Sequence, residues 1–483
     1  MRDESRNTAQ TVGLWLGPAL SLLMLGLGGP EGLSPEGWRV AALMVLMAIW
    51  WATEAIPIPA TSLLPLIILP LIGGGTAREA ASGYSSTIVL LLLGGFIVAL
   101  GIERWNLHTR IALHIVSSAG QHLKLIVAGF MVATALISAW ISNTATTLMM
   151  LPIAISVAAS SGETTGRFSK ALLLGVCYAA SIGGVATPIG TPTNLIAIDW
   201  LERNAGATIG YLQWMTFGVP AMLLLVPLAW WVVTHGMARA DASQGEAAQA
   251  EVRTRLSELG RITRPEARVA MVFGCVALFW VLRVPVQNLL DGVPGFGWVA
   301  AISDMGIAMA GAVAMFLVPA GGGEKRALLN WPEAEKLPWG VLLLFGGGIS
   351  LGQAVTRTGL SEWLGDLLAV ASGAPGIVLV LIAVVLIIYL TELTSNVATM
   401  TTLAPVLGAF AFSVGLAPES LLGPAAVAAS CAFMLPVATA PNAIVYASGE
   451  VTVSDMIRKG FWINLGGVLI ITLVGFYLAP LAL

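Results

Sequence analysis

Two short polar strings stand out in an otherwise apolar chain: Ser142-Asn143-Thr144 within SNTATT, and Ser395-Asn396-Val397 within LTSNVATMTT. Two further interruptions, GGVATPIGTPTN ending at Asn194 and PVATAPN ending at Asn442, carry proline and glycine. All four offer hydroxyls, amides and the free backbone groups of helix ends. None supplies a cationic side chain for an anion. An anion can still be held, because a helix N-terminus presents unpaired N–H groups and about half a positive charge. Helices restarting after Asn143, Asn194, Asn396 and Asn442 would point four such ends at one cavity, where Asn143, Thr144, Asn396 and Thr439 add side-chain donors. The carbonyl ends of the preceding half-helices suit a hard cation that prefers oxygen, such as sodium beside each polar string. Ser, Asn and Thr are also ordinary helix caps; it is their pairing at matched places that argues for a shared role. No HExxH, Walker or GxGxxG pattern is present, which argues against an enzyme.

The elements that hold these strings must cross lipid. With 57% hydrophobic and 10% charged residues and a mean hydropathy of +0.87, the chain cannot hide its apolar surface in a water-soluble globule. A net charge of −3 gives no pointer to nucleic acid. A crossing helix needs ~20 apolar residues. Runs 7–30, 40–53, 55–77, 86–102, 204–238, 269–282, 305–323 and 460–483 read as single crossings. Runs 125–162 and 375–416 are too long for one span and too short for two, so they read as reentrant helical hairpins with the polar strings at their tips. Runs 171–198 and 420–449 read as broken helices, since loose backbone at membrane depth is tolerated only where it lines an enclosed or watery site. The fold class expected is therefore an all-α polytopic membrane protein, with 11 transmembrane helices and two opposed hairpins. Residues 1–122 and 266–372 form helices 1–4 and 7–9, each group with an interfacial helix. Residues 123–238 and 373–483 each carry a hairpin, a broken helix and a final helix. The charged stretch 239–265 reads as an interfacial helix or linker.

The two halves repeat. LLLGGFIVALG from Leu91 matches LLFGGGISLGQ from Leu343, Ser142-Asn143 matches Ser395-Asn396, and GTPTN matches ATAPN, at nearly equal spacings. An odd number of crossings between the copies makes the repeat inverted, the best sequence pointer to a transporter site near the midplane. With the N-terminus cytoplasmic and the C-terminus outside, all but five of the 23 basic residues (Arg39, Arg78, Arg203, Arg283 and Arg357) face the cytoplasm, as the positive-inside rule requires of a plasma-membrane protein.

WISNTATTLMMLPI, TELTSNVATMTTLAP, GTPTN, and Ala429-Ser430 with Phe433, Pro436-Val437-Ala438, Asn442 and Ile444-Val445 resemble the divalent anion/sodium symporter family, the INDY-type dicarboxylate transporters. The resemblance covers nearly the whole chain. It implies a homodimer whose scaffold stays fixed while a transport domain moves as an elevator, and di- or tricarboxylate substrates such as succinate, malate, fumarate, 2-oxoglutarate or citrate. It implies one sodium site at Ser138, Ser142, Asn143 and Gly190, and another at Thr391, Thr394, Asn396 and Ala438. Substrate would meet Asn143, Thr144, Ser395 and Asn396, with Thr439 nearby. Many family members read Ser-Asn-Thr at both tips; Val397 here removes one hydroxyl from the pocket. Sodium-independent exchange, a passive anion channel, and an unlike anion such as sulfate are the alternatives.

Other candidates have plainer readings. Glu392, beside the second tip, is an intramembrane acid whose counterpart is Ala139, which favours a structural hydrogen-bonding role over drawing in cations. Glu54 reads as a helix-end cap. Gly94-Gly95 and Gly346-Gly347-Gly348 read as packing positions. His108, His114, His122 and His235 lack metal-pair spacing, and Cys177, Cys275 and Cys431 read as packing thiols.

Overall fold

The computed structural model describes residues 8–163, 166–237, 242–368 and 373–483. Arg2, Arg6, Arg239 and the domain boundaries placed at 238–239 and at 372 lie outside the described residues. Helices α1 (Thr8–Leu27) and α2 (Pro35–Thr53) pack side by side. Ser34 starts α2 by accepting the Gly37 N–H on its Oγ at 3.0 Å. The run 55–77, expected as one crossing, is instead broken. Glu54 takes a left-handed backbone (φ 49°), and Pro57, Pro59 and Pro65 confine the helix to α3 (Ile58–Thr61) and α4 (Leu64–Ile72). Proline lacks the N–H that would continue a helix, and nine residues of helix rise only ~14 Å.

α5 (Ala77–Ser82), α6 (Thr87–Arg104) and α7 (Leu107–Ser117) lead to the first hairpin, α8 (Leu123–Ser138) and α9 (Asn143–Ser160). Then come the broken pair α10 (Arg167–Gly184) and α11 (Pro192–Asn204), and α12 (Tyr211–Thr234). The charged stretch forms a helix, α13 (Ala242–Glu258), docked on α7 and α9. Ser156 on α9 donates to Glu251 at 2.6 Å and accepts from Arg255 at 2.6 Å. The Ser156 bond, and then Arg255's own bond to Glu251 at 2.8 Å, hold the Glu251 carboxyl below its ordinary range.

The second half follows the same order. α14 (Arg264–Leu290) and α15 (Asp304–Leu317) precede a ribbon of β1 (Pro319–Gly321) and β2 (Glu324–Ala327), so the chain is not purely α. Gly321, Gly322 and Gly323 all have positive φ there, which lets the chain turn where a continued helix was expected. α16 (Trp331–Ala334), α17 (Trp339–Arg357) and α18 (Leu360–Leu368) lead to hairpin α19 (Gly376–Thr391) and α20 (Asn396–Ser413), broken pair α21 (Glu419–Ala429) and α22 (Ala440–Ala447), and final helix α23 (Val453–Ala482).

Burial separates two kinds of helix. Every residue from Ala171 to Gly184 on α10 is buried, as is every residue from Ser420 to Ala429 on α21. Helices apolar all round belong inside, and these two form the centre on which the hairpins and α12 and α23 pack. By contrast α1 and α14 expose most of their apolar surface. Eight helices among the described residues are long and apolar enough to span a bilayer. Small residues serve contact: Gly94 lies against Ala308 of α15, and Gly347 against the Ser62 backbone, which is the packing role expected of them.

Candidate functional site

At the first tip, α8 ends at Ser138 and α9 restarts at Asn143, with Ser142 accepting the Ala145 N–H at 3.2 Å. Behind the tip, Ser138 Oγ lies 2.7 Å from Asn143 Oδ1 and 2.6 Å from the carbonyl oxygen of Ala180 on α10. The second tip repeats this. Thr391 Oγ1 lies 2.8 Å from Asn396 Oδ1 and 2.9 Å from the carbonyl oxygen of Ala429 on α21. Each hydroxyl has one proton and faces two acceptors, so each cluster holds one more acceptor oxygen than its hydroxyl can satisfy. Surplus oxygen of this kind is what a hard cation takes. With Oδ1 turned to these clusters, Asn143 Nδ2 and Asn396 Nδ2 have no hydrogen-bond partner among the described residues.

The breaks close on the tips. Asn194 Nδ2 donates to Gly184 O at 3.0 Å and Thr187 O at 2.8 Å; Asn442 Nδ2 donates to Ala432 O at 3.0 Å and Leu435 O at 2.9 Å. Sequence reasoning put helix starts after these asparagines, and the structure corrects it. α11 begins at Pro192 and α22 at Ala440, with Thr191 and Thr439 as the caps. Proline favours the first turn, and the asparagines, wholly buried in that turn, staple each break from inside. Gly190 is where the first break meets the first tip: a Cβ there would lie 2.5 Å from Gly184 O and 2.9 Å from Ala139 O. Gly190→Val is accordingly expected to weaken sodium stimulation by more than tenfold while Gly274→Val, on α14 where an added Cβ meets nothing, does not; sodium titration of uptake checks this.

All four interruptions line one cavity of about 940 Å³, within the usual range for small-ligand sites. Ser142, Asn143 and Thr144 come from the first tip, Thr394 to Val397 from the second, and Gly190 and Ala438 to Thr439 from the breaks. Ser138 and Thr391 sit behind, fully buried. Ser395, unlike Ser142, makes no capping bond. Thr394 Oγ1 is held by Leu390 O at 3.0 Å and Thr399 Oγ1 at 2.6 Å, so it faces its own hairpin more than the Thr391 cluster. Glu54, Glu103 and Lys336 also line the cavity, and no motif pointed to them as a group.

Glu392 is structural. Its carboxylate accepts the backbone N–H groups of Phe433 (2.7 Å), Met434 (3.0 Å) and Leu435 (3.1 Å), and Asn464 Nδ2 of α23 at 2.7 Å. The cysteines are free, and Cys177 donates to Asn442 Oδ1 at 2.9 Å. His108 is buried, with Nδ1 3.0 Å from Ile102 O.

Twinned hairpins and broken helices around one cavity, in a chain of membrane-spanning helices, define a membrane transporter. The family described as "Sodium:sulfate symporter transmembrane region" matches residues 9–483. A "Sodium-dependent dicarboxylate transporter SdcS" of Staphylococcus saprophyticus is 40% identical over 99% of this chain and 93% of its own length. The protein of the same description from Staphylococcus aureus is 39% identical over 99% and 92%. The fold is similar to those of the Alcanivorax borkumensis YdaH transporter (TM-score 0.59, 15% identity, 98% of each chain) and Neisseria gonorrhoeae MtrF (TM-score 0.58, 14% identity, 94% and 97%). The chain belongs to the divalent anion/sodium symporter family, whose members are transporters and not enzymes.

Proposed function

We propose that this protein couples the entry of dicarboxylates to sodium. The observation that carries the reading is the pair of oxygen clusters, at Ser138 and Thr391, each sharing an asparagine with the cavity wall. Asn143 and Asn396 would give Oδ1 to a cation and Nδ2 to a substrate carboxylate, so that neither ion is held well without the other. Ser142 and Gly190 complete the first cation site, and Thr394 and Ala438 the second. Thr144, Ser395 and Thr439 add donors to the substrate, and the N-termini of α9 and α20 add half-charges of the right sign. The name of the relatives at 39–40% identity favours a dicarboxylate over the sulfate of the family's description.

The same reading extends to movement. Hairpins α8–α9 and α19–α20, with α10–α12 and α21–α23, would form the moving body of an elevator. The remaining helices, paired with those of a second copy of the chain, would form the scaffold. With eleven crossings, an N-terminus in the cytoplasm and a C-terminus outside, the cavity, which reaches Ala9, Glu103 and Lys336, opens inward. Crosslinking α6 to α9 is expected to block uptake while leaving sodium-dependent succinate binding.

Labelled succinate uptake into proteoliposomes tests the function. Uptake into empty vesicles only under an inward sodium gradient is expected, with sulfate failing to compete. Uptake that ignores sodium and requires preloaded dicarboxylate would mean exchange. Val397→Thr is expected to alter the ratio of citrate to succinate uptake, since one added hydrogen bond is worth ~1 kcal/mol, roughly fivefold; an unchanged ratio would place residue 397 away from substrate.

A further inference from the structure

We propose that a second cavity, at the shared end of α10, α12 and α23, binds the phosphate of an anionic phospholipid headgroup. It measures about 430 Å³ and shares no residue with the cavity between the tips. Four cationic side chains converge on it, Arg167 and Lys170 from α10 and Arg458 and Lys459 from α23, with His235 from the end of α12. The one acid in its wall is already engaged: Asp455 accepts from Lys170 at 2.8 Å and from Thr452 Oγ1 at 2.7 Å, capping α23.

Lys459 is positioned without being neutralised, and Arg167 is anchored beside it. Lys459 Nζ donates to the carbonyls of Val232 (2.7 Å) and His235 (2.9 Å), and Arg167 donates to Gly236 O at 3.0 Å. Carbonyl partners fix the direction of a side chain and leave its charge in place. Arg458 has no hydrogen bond or ion pair among the described residues and is exposed. A free guanidinium beside two anchored cations is suited to the oxygens of a phosphate, which it can grip by its planar fork.

The face of α23 that continues from Arg458 distinguishes a lipid from a soluble anion. Phe461, Trp462, Leu465 and Leu469 are 40%, 56%, 44% and 60% exposed, and their spacing of three and four residues puts them on the same side as Arg458. An acyl chain lies along that column with its phosphate at the basic pocket, and Trp462 sits at the depth where indoles mark the interface. A free phosphate would use the pocket and none of the column. Basic pockets between helices at a membrane surface hold lipid headgroups by this combination.

The test is native mass spectrometry of the purified, delipidated full chain titrated with phosphatidylglycerol, with phosphatidylcholine of the same acyl chains, and with inorganic phosphate. Phosphatidylglycerol is expected to be retained over phosphatidylcholine and not displaced by inorganic phosphate. Arg458→Gln should lower phosphatidylglycerol affinity about fivefold, the worth of one cation near an anionic surface. Arg458→Lys, which keeps the charge without the fork, should lose less than the Gln variant, and Lys325→Gln, on the β2 ribbon, should preserve the affinity. Because Arg458 supports no other contact, the Gln variant is expected to melt with the unmodified protein in phosphatidylcholine. Equal retention of the two lipids, unchanged affinity in both Arg458→Gln and an Arg167→Gln/Arg458→Gln double variant, or displacement by inorganic phosphate would each overturn the assignment.

Discussion

Asn143→Ala and Asn396→Ala are each expected to abolish sodium-driven uptake, by a factor of at least ~100, while leaving a folded protein. The size follows from the double duty of each amide. Its Oδ1 completes an oxygen cluster with Ser138 and Ala180 O, or with Thr391 and Ala429 O, and its Nδ2, without a partner among the described residues, is the proposed donor to the substrate. Hydrogen bonds to charged groups contribute ~1.5–3 kcal/mol each, so losing one to the cation and one to the carboxylate removes ~3–6 kcal/mol, and every 1.4 kcal/mol is tenfold. The fold should survive, because the breaks are stapled by Asn194 and Asn442 and not by the tip asparagines. Melting without sodium or substrate should therefore match the unmodified protein, and only the stabilisation by added sodium should vanish. Asn143→Asp separates the two duties: a carboxylate keeps the cation ligand and repels the dianion, so sodium should still raise the melting temperature while uptake is lost. Full uptake by either alanine variant would remove these residues from the site.

The tips and breaks were legible in the sequence because polar and helix-breaking residues inside long apolar runs (125–162, without a charge, and 375–416, with Glu392 alone) have no bland place in lipid. Their gathering into one cavity followed from the repeat. What could not be read was contributed by backbone or by distant sequence. The carbonyls of Ala180 and Ala429 carry no residue signature. Asn194 and Asn442 read as the points after which helices restart and proved to be internal staples, since the caps at Thr191 and Thr439 start the helices earlier. Glu103 enters the cavity wall from the end of α6 and Lys336 from the link between α16 and α17, where charge has an ordinary interfacial reading. The run 55–77 has the hydropathy of a span, and only the clustering of its prolines, after the left-handed Glu54, distinguishes it from one.

Glu392→Ala is expected to lower the melting temperature by ~10 °C or to prevent accumulation of folded protein. The substitution leaves three backbone N–H groups, at Phe433, Met434 and Leu435, and the Asn464 amide without their acceptor. A buried polar group stripped of its partner costs ~1–3 kcal/mol, and ~1 kcal/mol moves the midpoint of a large domain by a few degrees. The first repeat shows why an acid stands here. There Thr187 Oγ1 donates to the carbonyl of Ala139, the position equivalent to Glu392, and accepts the Gly190 N–H at 3.2 Å. The second repeat has Leu435 in place of that threonine, so the break has no hydroxyl to give: it donates backbone N–H groups instead, and the tip accepts them on the Glu392 side chain. Asn464 then binds the same carboxylate to α23, tying tip, break and final helix together. Ala139→Glu has no matching donors to meet and should destabilise the protein, whereas Glu392→Gln, which keeps one acceptor oxygen, should melt between the parent and the alanine variant. If Glu392→Gln instead melts with the parent and loses its sodium response, the carboxylate serves the cation, and the structural role assigned to it is wrong.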